Sequence, residues 1–157
     1  MAKLASSCKN IAGVKAASGS IEQIQTIRQF CPKNFDILSG DDALTLPILS
    51  IGGIGVISVL SNIIPKDIVK LVDQFLKGNI KEAQELHYKI LPLTKAMFVE
   101  TNPIPIKTAA ELMGLIPCGE LRLPLCSMSV DNLEKLKKAL EDYSLWTAEE
   151  TVNQELR

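Results

Sequence analysis

The chain has 157 residues, 46% of them hydrophobic, with four cysteines, one histidine and a formal net charge of −1; its pI is about 5.9 and its mean hydropathy +0.17. That balance excludes a basic nucleic-acid footprint and a polybasic membrane patch, and no run reaches the ~18 uninterrupted apolar residues of a membrane-crossing helix. The length suits one medium domain or one and a half small ones, and so apolar a chain must bury much of its surface in a core or against a partner.

The first ten residues, MAKLASSCKN, lack the apolar segment of a secretory signal. Cys8, Cys31, Cys118 and Cys126 form no CxxC pair, and with a single histidine they make a poor zinc set. Reduced, mostly buried thiols in a cytoplasmic protein are expected.

Three β-like runs alternate with helical patterns. NIAGVKA (10–16) is the first. Ser20 reads as an N-cap, and Ile21, Ile24, Ile27 and Phe30 follow at helical spacing over 21–31. FDILSG (35–40) is the second run. Asp41 or Asp42 can cap a short helix in DDALTLPILSIG, where Pro47 is tolerable in a first turn. GVISVLS (55–61) is the third run; Gly55, Ile57 and Val59 would share one strand face. Pro65 opens the helix PKDIVKLVDQFLKGN, which Gly78 closes.

The remainder is helical. Ala83, Leu86, Ile90, Leu93 and Met97 form one stripe over 80–98. NPIPIK (102–107) is a proline-stiffened loop leading into a helix from about Ile106 to Leu115. ELRLPL reads as extended. Val130, Leu133, Leu136 and Leu140 mark an amphipathic helix over 129–143. Alternating strands and helices imply a parallel sheet with helices outside. The expected division is an α/β part over 1–78, a helical part over 79–146 and a tail over 147–157.

Lys15 stands out: a cation in an apolar strand, just before a Gly/Ser turn. Alternation puts Ile11, Gly13 and Lys15 on one face and Ala12 and Val14 on the other. The carboxyl end of a parallel strand is where chemistry collects, and Gly13 would leave room beside the lysine stem for a small ligand. An amine ringed by apolar groups loses hydration, which disfavours its charged form; a neutral amine can attack a ketone and form a Schiff base. The competing reading is a solvated strand-end lysine.

Other constellations carry less. GGIGVIS (52–58) is followed by a strand rather than a helix, so the glycines serve a tight turn and not a phosphate loop. SGDD (39–42) suits helix capping better than a metal. His87 has no ligand companion at suitable spacing. Lys135, Lys137 and Lys138 form a solvated helix face. Trp146 either packs or belongs to the tail.

Three separated segments nevertheless agree with one family. NIAGVKAASGS resembles the Schiff-base strand of the pyruvate-dependent class I aldolases, the N-acetylneuraminate lyase family. FDILSGDDALTLPILSIGGIGVISVLSNIIP is similar to the last two barrel strands of that family. FVETNPIPIKTAAELMGL and LRLPL are similar to its carboxyl-terminal helical extension. The resemblance covers about residues 3 to 145 and implies strands six to eight of a (β/α)8 barrel followed by three helices. The first five strands have no counterpart here.

By this resemblance Lys15 is the catalytic residue that captures pyruvate as an imine, with no further cofactor. Ile57 is a substrate-binding position acting through its backbone, and Gly40 is a backbone wall of the pocket. The NPIPIK segment matches best the branch whose second substrate is aspartate semialdehyde. The resemblance also implies a tetramer or another homo-oligomer, or association with an amino-terminal half-barrel. The family's acidic residue after the lysine is Ala16 here. Its carboxylate-binding threonines and tyrosine relay would lie in the absent strands; Tyr88, Tyr143 and His87 fall on the helical segment and cannot replace them. The alternatives are a non-catalytic subunit or remnant of a split gene that assembles with an amino-terminal half-barrel, and a sister pyruvate-dependent aldolase such as N-acetylneuraminate lyase.

Overall fold

The computed structural model describes residues 1–147. Most of the expected tail, residues 148–157, lies outside the described residues. The chain divides into two compact units, the first Met1–Lys89 and the second from Ile90 onward. The division falls inside a helix, beyond the Gly78 boundary expected from sequence.

The first unit begins with a short helix, α1 (Ala2–Ser7). Then β1 (Gly13–Ala16), α2 (Ile21–Phe30), β2 (Asp36–Ser39), a 3-10 turn (Asp42–Leu44), α3 (Thr45–Ser50), β3 (Gly55–Val56), a second 3-10 turn (Leu60–Asn62) and α4 (Pro65–Leu76) follow in order. The three strands form one parallel sheet in the order β1-β2-β3. Lys15 pairs with Leu38, and Leu38 in turn with Gly55.

One sheet face is covered. Ala16 and Ile37 meet Ile24 of α2 and Ile48 of α3 in a buried cluster, with Val14, Ile21, Ile27, Leu44 and Ile51 around it. The opposite face, carrying Gly13, Lys15, Leu38, Gly55 and Ile57, receives no part of that cluster. Local chemistry fixes the helix starts. The Ser20 hydroxyl accepts the Gln23 N–H at 3.2 Å, as an N-cap should. Pro65 occupies the first turn of α4, and Gly78 follows with φ +85°, a conformation glycine adopts without strain.

The third β-like run is the largest departure in this unit. The strand stops at Val56, and Val59 has helical angles, φ −73° and ψ −46°. Val59 therefore does not share a strand face with Gly55 and Ile57. The reason is a carboxylate: Asp42 Oδ2 accepts the Val59 N–H at 2.8 Å and the Leu60 N–H at 3.4 Å. Donors satisfied in this way start a helical turn instead of extending the ladder.

Helix α5 (Ile80–Met97) begins in the first unit. Ala83, Ile90, Leu93 and Met97 of the expected stripe are buried along it, and Leu86 is half-buried. The second unit adds α6 (Ile104–Leu112) and α7 (Val130–Asp142). Helix α6 starts two residues earlier than its pattern indicates, with Pro105 in its first turn. ELRLPL is a turn and not a strand, since the Leu125 N–H donates to the Arg122 carbonyl at 3.0 Å. On α7, Leu136 and Leu140 are buried while Val130 is 76% exposed; a first-turn residue sits before the helix meets its neighbour. Trp146 is buried, with the Lys137 Nζ 6.0 Å from its ring centroid. The cysteines are all free, but only Cys31 is buried; Cys118 and Cys126 are exposed, since the segment from Ile116 to Ser129 has neither helix nor strand to cover them.

Candidate active site

Backbone pairing continues beyond the ends of the strands. The Gly40 N–H donates to the Ala16 carbonyl at 2.7 Å, and the Ile57 N–H to the Ser39 carbonyl at 2.8 Å. The sheet's carboxyl edge therefore holds two successive rows on one face. Lys15, Leu38 and Gly55 form the first; Ala17, Gly40 and Ile57 follow two residues on. The three positions marked by sequence, Lys15, Gly40 and Ile57, stand together at that edge.

The stem of Lys15 lies over Gly40. A Cβ at Gly40 would stand 3.0 Å from both Cγ and Cε of Lys15 and 2.7 Å from the Ala17 Cβ. Only a residue without a side chain lets the lysine lie there. Gly13 does a different job from the one expected: a Cβ there would meet the Asp36 carbonyl oxygen at 2.7 Å. It permits close approach of β2, and the room beside the lysine comes from Gly40.

Lys15 is exposed, where apolar surroundings were expected. Its face is bare because α2 and α3 cover the other one. Ile57 is 47% exposed and Ile54 is 46% exposed. The row thus lies along a sheet edge open to solvent.

The loop after β2 is stiff. The Ser39 hydroxyl, fully buried, donates to the Asp41 carbonyl at 2.6 Å and accepts the Asp41 N–H at 3.2 Å. Asp41 Oδ1 accepts the Ala43 N–H at 2.9 Å, so Asp41 is the cap expected of SGDD. Asp42, the other candidate for that cap, has a different partner. It is 6% exposed and reaches 17 residues along the chain to Val59; no local spacing announces so distant a partner. Among the described residues no group of acidic, cysteine or histidine side chains could hold a metal.

The glycines of GGIGVIS make the turn expected of them. Gly52 has φ +95°, and a Cβ at Gly53 would meet Ile48 Cγ2 at 2.6 Å. His87 is half-buried, edge-on to Tyr88 at 5.5 Å between centroids; burial lowers its pKa below the ordinary histidine value. The second unit has a cleft of about 520 Å³ lined by Thr108, Glu111, Glu120, Cys126 and Leu133 among others. It shares no residue with the lysine row. In the same unit Glu100 Oε1 accepts the Ser129 N–H, the Ser129 hydroxyl and the Asn132 amide at 2.9–3.0 Å, tying the start of α7 to the segment after α5.

A lysine seated over glycine at the carboxyl edge of parallel strands invites comparison with known proteins. The family model described as "Dihydrodipicolinate synthetase family" matches residues 1–143. The chain belongs to the dihydrodipicolinate synthetase family. It is 60% identical to the 4-hydroxy-tetrahydrodipicolinate synthase of Endomicrobium trichonymphae over 92% of its own length and 49% of that protein's. The corresponding synthase of Clostridium tetani is 48% identical over the same shares. Among solved structures, dihydrodipicolinate synthase from Aquifex aeolicus superposes with a TM-score of 0.90 at 42% identity, covering 94% of this chain and 50% of that one. A variant described as the first monomeric dihydrodipicolinate synthase gives 0.88 at 43% identity, covering 92% and 49%. The chain spans about half the length of the relatives it matches.

Proposed function

We propose that the chain supplies the imine-forming lysine and the carboxyl-terminal half of a 4-hydroxy-tetrahydrodipicolinate synthase, a Schiff-base carbon–carbon lyase of lysine and diaminopimelate biosynthesis. In this reading β1, β2 and β3 are strands six to eight of a (β/α)8 barrel. The observation that carries it is the placement of Lys15, at the carboxyl edge of the sheet with its stem over Gly40, in a chain of this family.

The chemistry starts at Nζ. The neutral amine adds to C2 of pyruvate, the carbinolamine loses water, and the C=N bond forms. Loss of a C3 proton gives the enamine, whose C3 attacks the aldehyde carbon of aspartate semialdehyde. The Ile57 backbone and the Gly40 backbone wall the keto acid on this side. Water must be kept from the amine, because a dry site favours its uncharged form. In this chain Lys15 is exposed, so the drying walls belong to the remaining strands of the barrel. Those strands would also carry the proton relay; general acid–base steps contribute about 10²–10⁴-fold. Full activity therefore requires the amino-terminal half-barrel, on the same polypeptide or on a partner chain, and the assembled enzyme acts in the cytoplasm as a homo-oligomer.

The test is borohydride trapping with pyruvate in the chain co-expressed with the amino-terminal half of a relative. A reduced pyruvate adduct on Lys15 supports the proposal, and its absence refutes it. A second reading, a non-catalytic subunit, is favoured by the exposure of Ile54 and Ile57 and by the open edge of β1. It predicts association with the half-barrel partner but no adduct.

A further inference from the structure

The loop after β2 touches both ends of the candidate site. Gly40 seats the Lys15 stem. Ser39 accepts the Ile57 N–H at 2.8 Å. Asp42, two residues on from Gly40, accepts the Val59 N–H at 2.8 Å and the Leu60 N–H at 3.4 Å through a single oxygen. The end of β2 and the loop after it thus hold the chain at Ile57 and again at Val59 and Leu60. The grip is costly, since Asp42 is 6% exposed and its Oδ1 has no hydrogen-bond partner among the described residues. Buried carboxylate oxygens normally find partners. What the side chain adds is a directional acceptor that ties the loop after β2 to the turn after β3.

We infer that Asp42 is a positioning residue, fixing the Ile57 backbone relative to Lys15 so that a keto acid is held while the imine forms. The inference rests on the proposed function and deepens it: a residue absent from the reacting atoms sets affinity for the carbonyl substrate. Loosening the tie leaves the nucleophile in place but blurs the wall that Ile57 forms beside it. A misplacement of about 1 Å can cost about 10²-fold, and here the loss should fall on substrate capture.

The experiment follows Lys15 trapping by borohydride against pyruvate concentration in the full chain complemented with the amino-terminal half. The half-saturating concentration reports the wall, and the plateau reports the folded fraction. Asp42→Ala should raise the half-saturating concentration about 10-fold or more with the plateau kept. Asp42→Asn, which retains an acceptor for the Val59 N–H, should stay within about 3-fold of the parent. The same tie can be cut from its other end: Val59 has φ −73°, which proline adopts, so Val59→Pro removes the donor without forcing that angle. It should shift the midpoint in the same direction, and the double variant should be no worse than Asp42→Ala alone. If Asp42→Ala loses its plateau through unfolding, Val59→Pro and Asp42→Asn decide. Unchanged midpoints, additive effects in the double variant, or failure of asparagine to rescue would each overturn the positioning role. A parent that forms no adduct at any pyruvate concentration removes the Lys15 assignment itself and this inference with it. A parent that traps normally beside an indifferent Asp42→Ala removes only the inference.

Discussion

Replacing Gly40 by alanine tests the local geometry most directly. The new Cβ would stand 2.7 Å from the Ala17 Cβ and 3.0 Å from Lys15 Cγ and Cε. The lysine stem is flexible and can swing away. The Ala17 Cβ is fixed to the backbone, so the end of β1 must also move. Overpacking of this kind costs about 1–3 kcal/mol. A glycine-to-alanine change returns about 0.4–1 kcal/mol by restricting the unfolded chain. A net loss of about 0–2.6 kcal/mol remains, and since each kcal/mol lowers Tm by about 2–4 °C in an assembly larger than about 150 residues, the expected fall is up to about 10 °C. Displacing the lysine stem should also slow trapping by pyruvate, by up to about 10²-fold. Thermal denaturation and borohydride trapping of the complemented chain read the two effects. Gly78→Ala is the control: its φ is +85° but a Cβ there meets nothing within 4 Å, so it should cost stability and leave trapping unchanged. Parent-like melting together with parent-like trapping in Gly40→Ala would show that the lysine does not lie over Gly40.

Lys15→Met should abolish the pyruvate adduct yet shift stability by no more than about 0.5 kcal/mol, because the side chain is exposed and far from the covered face; chemical denaturation and mass spectrometry check both. Ile37→Ala removes a fully buried side chain of the cluster under α2 and α3 and should cost about 2–5 kcal/mol by denaturant titration. Three hydrogen bonds from Ser129 and Asn132 hold the Glu100 carboxyl below its usual pKa. Its contribution is present above the unfolded carboxyl value and is lost as pH falls through the depressed folded one. The acid-side fall in stability should therefore be shallower in Glu100→Gln. Burial lowers the His87 pKa, so the unfolded chain takes the proton first and stability declines as pH drops below the ordinary histidine value. Proton NMR of the single imidazole should show a midpoint below 6.5, the value from which it is lowered.

Much of this protein was written in local pattern. Strand and helix alternate because the apolar period switches between two and three to four residues, a signal carried by neighbours in the chain. Ser20, Pro65 and Gly78 mark helix ends through backbone chemistry that needs no tertiary partner. The lysine strand, SGDD and NPIPIK carry the family, because the residue types are held in order and spacing along the chain.

Other features needed the chain folded. The third strand stops at Val56 because a carboxylate 17 residues upstream takes the Val59 N–H, and no local rule names that partner. Gly13 and Gly40 look alike as letters; only the approach of Asp36 to one and of Lys15 to the other gives them separate tasks. Val130 fits the stripe of α7 by period and is exposed by position. The surroundings of Lys15 were decided last. Sequence places the amine at the end of an apolar strand, but which sheet face the helices cover, and so whether water reaches the amine, depends on elements brought together from distant parts of the chain.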